Sequence, residues 1–157
     1  MARYLLVLHN TDEGDGLLAA ARGLSSQDPS AEFVLITPAA APAFDLFIEP
    51  RCSPTRLAAR RARRVRGQLV AAGVNLLASR LGNFDPFRAL EDALRFSKYA
   101  AVVVAAPEHR LFHLIHCDLA CRLARKFPQT RVVHAANRVP TQSIDSEPGF
   151  VTSSVQQ

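Results

Sequence analysis

Three side chains that ligate soft and borderline metals fall on one predicted helix, Leu111–Phe127. His113, Cys117 and Cys121 stand at i, i+4 and i+8, with His116 beside them. Imidazole and thiolate suit zinc, and His109 could approach from the turn before the helix. A structural zinc site usually gathers ligands from two segments so that they converge, whereas these come from one. The plainer reading is packing. Leu111, Leu114, Cys117, Cys121 and Ala124 make an apolar stripe, and cysteine is a small residue often found buried. That reading expects no metal. Cys52 precedes a predicted helix N-terminus, where a thiol pKa can fall, but no base can be identified for it. No G-x-S-x-G elbow, Walker loop or H-E-x-x-H occurs, so neither an enzyme nor a cofactor is expected.

A second polar group is split between two short segments. One is His9, Asn10, Thr11 and Asp12; the other is Ala106, Pro107, Glu108, His109 and Arg110. Each follows an apolar run, Tyr4–Leu8 and Ala100–Ala105, that reads as a strand buried on both faces. If the strands lie side by side and parallel, both segments line one crevice at their carboxyl ends. That is the place where open α/β sheets take ligands. The residues fit equally a small-ligand site and solvated loops.

The elements that would position them alternate. Strands are expected at Tyr4–Leu8, Glu32–Thr37, Val74–Ala78, Ala100–Ala105 and Arg131–Ala135. Between them come helices at Leu17–Leu24, at Pro54–Ala72, from Pro86 onward and at Leu111–Phe127. Ser53-Pro54 and Asp85-Pro86 read as an N-cap with proline at the first helical position, and Gly73 is placed to cap the carboxyl end of the second helix. Alternation of this kind implies an α/β fold: an open five-stranded parallel sheet of order 3-2-1-4-5 with helices on both faces. The connection Pro38–Cys52 is long and proline-bearing. Residues 137–157 hold two prolines, one glycine and many Ser, Thr and Gln without a period, and read as a flexible tail after a domain of residues 1–136.

Charge is local. The formal net charge is +5, yet seven arginines and no acid lie between Arg51 and Arg66. Arg56, Arg60, Arg63 and Arg64 fall largely opposite the apolar positions Ala58, Ala62, Val65, Leu69 and Ala72. Clustered arginine is a footprint for nucleic acid, with Arg60, Arg63 and Arg64 as its centre. The patch lacks interleaved aromatics and any known binding fold. It therefore reads first as the solvated face of an amphipathic helix, and nucleic acid is not expected as a partner. Arginine supplies 17 of the 19 cationic residues, which together with the alanine richness reads as coding bias.

The order and spacing of these pieces resemble the universal stress protein family over about Arg3–Ala135. The most specific part is Gly82-Asn-Phe-Asp-Pro-Phe-Arg-Ala-Leu-Glu-Asp-Ala-Leu94 followed by Tyr99-Ala-Ala-Val-Val-Val104; the long loop and the arginine-rich second helix also suit that layout. The resemblance implies a stress-associated or regulatory module. It also implies a homodimer through the fifth strand, along Arg131, Val132, Val133 and His134. Members that bind ATP carry G-x2-G-x9-G-[ST] after strand four. Here Ala106, His109, Leu119 and Ala120 occupy those four positions, and His9 or Asn10 stands where such members place an aspartate. Glycine lets backbone N–H groups close on phosphate oxygens; a Cβ blocks that approach, and Pro107 removes one donor. The chain is therefore expected not to hold ATP in the family's usual way.

With 48% apolar and 21% charged residues the composition is globular. Three cysteines make no disulfide framework, and the first apolar run is too short for a secretory core or a membrane span. A cytoplasmic location is expected.

Overall fold

Continuous apolar runs leave strands β1, Arg3–Leu8, and β4, Ala101–Ala106, no solvent-facing side, so both must lie inside a sheet. A computed structural model of the chain describes residues 1–9, 14–39, 53–106, 119 and 122–136. In it β1 and β4 are neighbours at the centre. Strand β2, Glu32–Pro38, lies beyond β1, and β3, Leu76–Gly82, forms that edge; β5, Arg131–Ala136, flanks β4 at the other. All four pairings are parallel, in the order β3-β2-β1-β4-β5. The expected strand order is observed.

This order dictates where the helices go. The chain steps one way across the sheet from β1 to β3 and the other way from β3 to β5. Right-handed crossovers then place the early and late helices on opposite faces. Helices α1, Asp15–Gln27, and α2, Pro54–Ala71, cover one face, where Leu17, Ala21, Val65 and Leu69 pack with Leu6, Leu8, Phe33, Leu35, Val103 and Ala105. Helix α3, Pro86–Phe96, and the helical residues 122–126 cover the other, where Ala89, Leu90 and Leu123 pack with Leu5, Val7, Val34, Ile36, Val102 and Val104. Successive residues of each central strand serve alternate faces, as the pleat requires. Full burial of a Leu, Val or Phe stabilises by about 1.5–3 kcal/mol, so the two layers carry most of the stability.

Local signals set the helix ends. Ser53 Oγ accepts a hydrogen bond from the Arg56 N–H at 3.3 Å, and Asp85 Oδ1 accepts from the Phe87 N–H at 2.9 Å, each with proline next in the chain. Helix α2 ends in a paired turn: the Gly73 N–H donates to Val70 O at 3.0 Å and the Val74 N–H to Leu69 O at 3.1 Å. Gly73 has φ +76°, which glycine adopts without the Cβ penalty, and Val74 and Leu69 are both buried in the core beneath it.

Two readings are corrected. The third strand is not Val74–Ala78 but Leu76–Gly82, because Val74 belongs to the turn that ends α2. It also runs on through Ser79 and Arg80, since an edge strand tolerates polar residues. On the last helix the buried stripe does not include Ala124, which is exposed. Leu123 is buried there, and Leu119 and Phe127 pack against the same core. Leu119, Leu123 and Phe127, at i, i+4 and i+8, remove much more apolar area from water than Ala124 can.

The two sheet edges differ. Strand β3 pairs with β2 through a register shift: Phe33 faces Leu76 and Val34 faces Ala78, leaving Leu77 as the extra residue. Strand β5 follows β4 without interruption from Ala101–Arg131 to Ala106–Ala136.

Charge is handled differently on the two faces. On α3, Glu91 accepts hydrogen bonds from Arg95 at 2.8 Å, an i,i+4 pair, and from Lys126 at 2.6 Å across to the last helix. Arg122 and Lys126 lie over the Phe87 ring, at 4.3 and 5.7 Å from its centroid. The Glu91 carboxyl is held below its ordinary value, chiefly by the Lys126 hydrogen bond. On α2 the arginine pairs 56/60, 60/64, 60/63 and 63/66 stand at i,i+4 or i,i+3, and the first turn holds no acid. Each such like-charge pair costs an isolated helix a few tenths of a kcal/mol. Cations near its N-terminus also oppose the helix dipole.

Candidate functional site

The topological switch lies between β1 and β4. Leu8 pairs with Ala105, so His9, just past β1, and Ala106, the last residue of β4, stand at the carboxyl end of the sheet. His9 is only 9% exposed, so it is part of the sheet's roof more than a solvated loop residue. Asn10, Thr11, Asp12, Pro107, Glu108, His109 and Arg110 lie outside the described residues, as do residues 40–52, residues 137–157, and His113, His116, Cys117 and Cys121. Among the described residues no three His, Cys, Asp or Glu side chains group as metal ligands do.

Three residues near this end were not singled out from sequence. Gly14 caps α1 at its N-terminus without a side-chain hydrogen bond. A Cβ there would sit 2.8 Å from Val65 Cγ2 and 2.9 Å from Gln68 Oε1, so α1 and α2 meet at this point only because the residue is glycine. Thr37, next to last in β2, is fully buried, and its Oγ1 has no hydrogen-bond partner among the described residues. Arg61 is 5% exposed, on the inner side of α2, while Arg60, Arg63 and Arg64 are exposed on its outer side as expected. Only the glycine had a legible signal, its place in a polar turn; the burial of Thr37 and Arg61 depends on what α2 packs against.

Of the residues assigned to a dimer edge, Arg131 and His134 are exposed and Val132 and Val133 half-buried, all on the open side of β4. No described helix is long and apolar enough to cross a membrane.

No protein-family model matches the sequence, and no curated protein matches it. Its structure is similar to that of a universal stress protein solved in complex with cAMP. The TM-score is 0.51 at 10% identity, over 87% of this chain and 97% of that one. The fold is universal-stress-protein-like. At this identity the likeness speaks for architecture alone.

A groove of about 200 Å³ lies elsewhere, between α3 and the outer part of β2 and β3. Val34, Ile36 and Ala89 line it, with Arg80, Asp92 and Phe96 at its sides. Gly82 allows the close contact at one end: a Cβ there would stand 2.5 Å from that of Ala89.

Proposed function

We propose that this chain is a universal-stress-protein-like regulatory module that acts in the cytoplasm without catalysis, by pairing with a second copy along β5. The observation that carries this is the contrast of sheet edges. An unpaired strand invites a partner strand unless something blunts it. Strand β3 is blunted by its irregular register at Leu77, while exposed arginine is common to both edges, Arg80 on β3 and Arg131 on β5. Strand β5 has neither a bulge nor an interrupted register, and it offers half-buried Val132 and Val133. Sedimentation equilibrium tests the pairing: a dimer is expected at micromolar concentration, and Val132→Lys should shift it to monomer with its circular dichroism intact. A wild type that stays monomeric to high micromolar concentration would end this reading.

On the same reading the module does not hold ATP in the family's usual way, because Ala106, His109, Leu119 and Ala120 replace the phosphate-cradling positions. A second reading, a small-ligand or nucleotide site, is favoured by the adjacency of His9 and Ala106 at the switch point. The neighbour's cAMP gives this reading a first ligand to try. Calorimetric titration with cAMP separates the two, since saturable heat lost in His9→Ala supports the ligand site and an absence of heat leaves the pairing module.

A further inference from the structure

We propose that the outer face of α2 is a docking surface for the phosphate backbone of nucleic acid, engaged without regard to base sequence. At 100° per residue, Arg66, Arg63, Arg56, Arg60 and Arg64 share the arc opposite Ala58, Ala62, Val65 and Leu69. All five are exposed, and the four apolar residues are buried. From Arg56 to Arg66 the helix rises about 15 Å, a length over which a duplex carries about nine phosphate charges.

The arrangement works against the helix that carries it. Its arginines repel one another at i,i+3 and i,i+4, and Arg56, in the first turn, lies at the positive end of the helix dipole. No acid relieves them between Arg51 and Arg66. Arg56, Arg63 and Arg66 form no ion pair with any described residue, whereas Arg60 and Arg64 also engage other groups of the chain. The face therefore rests first on Arg56, Arg63 and Arg66. Coding bias explains the choice of arginine over lysine across the chain. It does not explain a local stretch without acids, when α3 in the same chain pairs Arg95 with Glu91. A face of crowded like charge, carried at a cost to its own helix, marks a surface kept for something outside the molecule.

The chemistry of that partner follows from what lies between the arginines. Ala59, Gly67, Val70 and Ala71 share the arc, and only Val70 is a large exposed apolar residue. A protein partner is ordinarily held by an apolar or aromatic centre, which this face lacks. Base stacking needs aromatic rings, and there are none here. What remains is a flexible row of guanidinium groups that small neighbours leave accessible, suited to bidentate contact with phosphates.

The test is fluorescence anisotropy with the full chain and labelled 20-base-pair duplexes of unrelated sequence. The duplexes should bind alike. With three to five phosphates neutralised, affinity should fall about 40- to 500-fold between 50 and 200 mM salt. The triple variant Arg56→Glu, Arg63→Glu, Arg66→Glu should bind at least tenfold more weakly at 50 mM, with a flatter salt slope and an unchanged or higher Tm. The triple variant Arg22→Glu, Arg88→Glu, Arg125→Glu, with the same change in net charge, should lose less than threefold. No binding at 50 mM, equal losses in the two triple variants, or tighter binding of polyglutamate than of duplex would each overturn the proposal.

Discussion

Helices α2 and α3 lie on opposite faces of one sheet and are built alike on their inner sides, yet their charges are arranged differently. Each starts with an oxygen cap followed by proline and buries a leucine completely, Leu69 in one and Leu90 in the other. On α3 the charged side chains are tied to the fold: Glu91 holds Arg95 and Lys126, and Phe87 lies beneath Arg122 and Lys126. On α2 the arginines crowd one another on the outer side. The lesson is that packing and surface charge are separable: two helices can bury alike on their inner sides and still carry different charge outside.

The comparison can be broken most forcefully at the inner faces, where the two helices are expected to be equivalent. Leu69→Ala and Leu90→Ala should each cost about 2–5 kcal/mol in chemical denaturation, since both side chains are fully buried. A large effect in one alone would show that one helix is peripheral to stability. Next come the glycines at the helix borders. Gly82→Ala forces a methyl to within 2.5 Å of the Ala89 Cβ and should cost about 1–3 kcal/mol. Gly73→Ala places an L residue at φ +76° and should cost about 1 kcal/mol, read as a lower Tm.

The outer faces should respond with opposite sign. Arg63→Glu replaces repulsions toward Arg60 and Arg66 by attractions and should raise stability by a few tenths of a kcal/mol per pair. Arg95→Glu sets like charges at i,i+4 on α3 and should lower it. The smallest expected effect is that of pH on α3. The Lys126 hydrogen bond holds the Glu91 carboxyl below its ordinary 4.5, so the folded state favours the ionised form. That contribution is present above 4.5 and is lost as pH falls through the lowered value. Wild type should therefore melt above Glu91→Gln at pH 7, and the difference should shrink below pH 4.5 and vanish once the carboxyl is protonated in the folded and the unfolded chain alike.

Much of this frame was legible in the chain. Val102–Val103–Val104 and Leu5–Leu6–Val7 could only be central strands, and Ser53-Pro54, Asp85-Pro86 and Gly73 marked helix ends by local chemistry that tertiary packing did not override. Where reading from sequence went astray, a choice between neighbours depended on distant contacts. Ser79 and Arg80 look like a strand's end until β3 is known to be an edge, and the Leu119–Leu123–Phe127 stripe competes with one that includes Ala124 until the sheet beneath is in place. The candidate site was less legible. The adjacency of His9 and Ala106 follows from strand order, which alternation supplies, but the buried hydroxyl of Thr37 and the buried Arg61 follow from packing, which no local pattern encodes.

The proposed function turns on whether the chain holds ATP at the carboxyl ends of β1 and β4. Equilibrium dialysis of the full chain against labelled ATP measures this directly. The account predicts no saturable binding at micromolar ATP, and one ATP bound per chain in that range would contradict it.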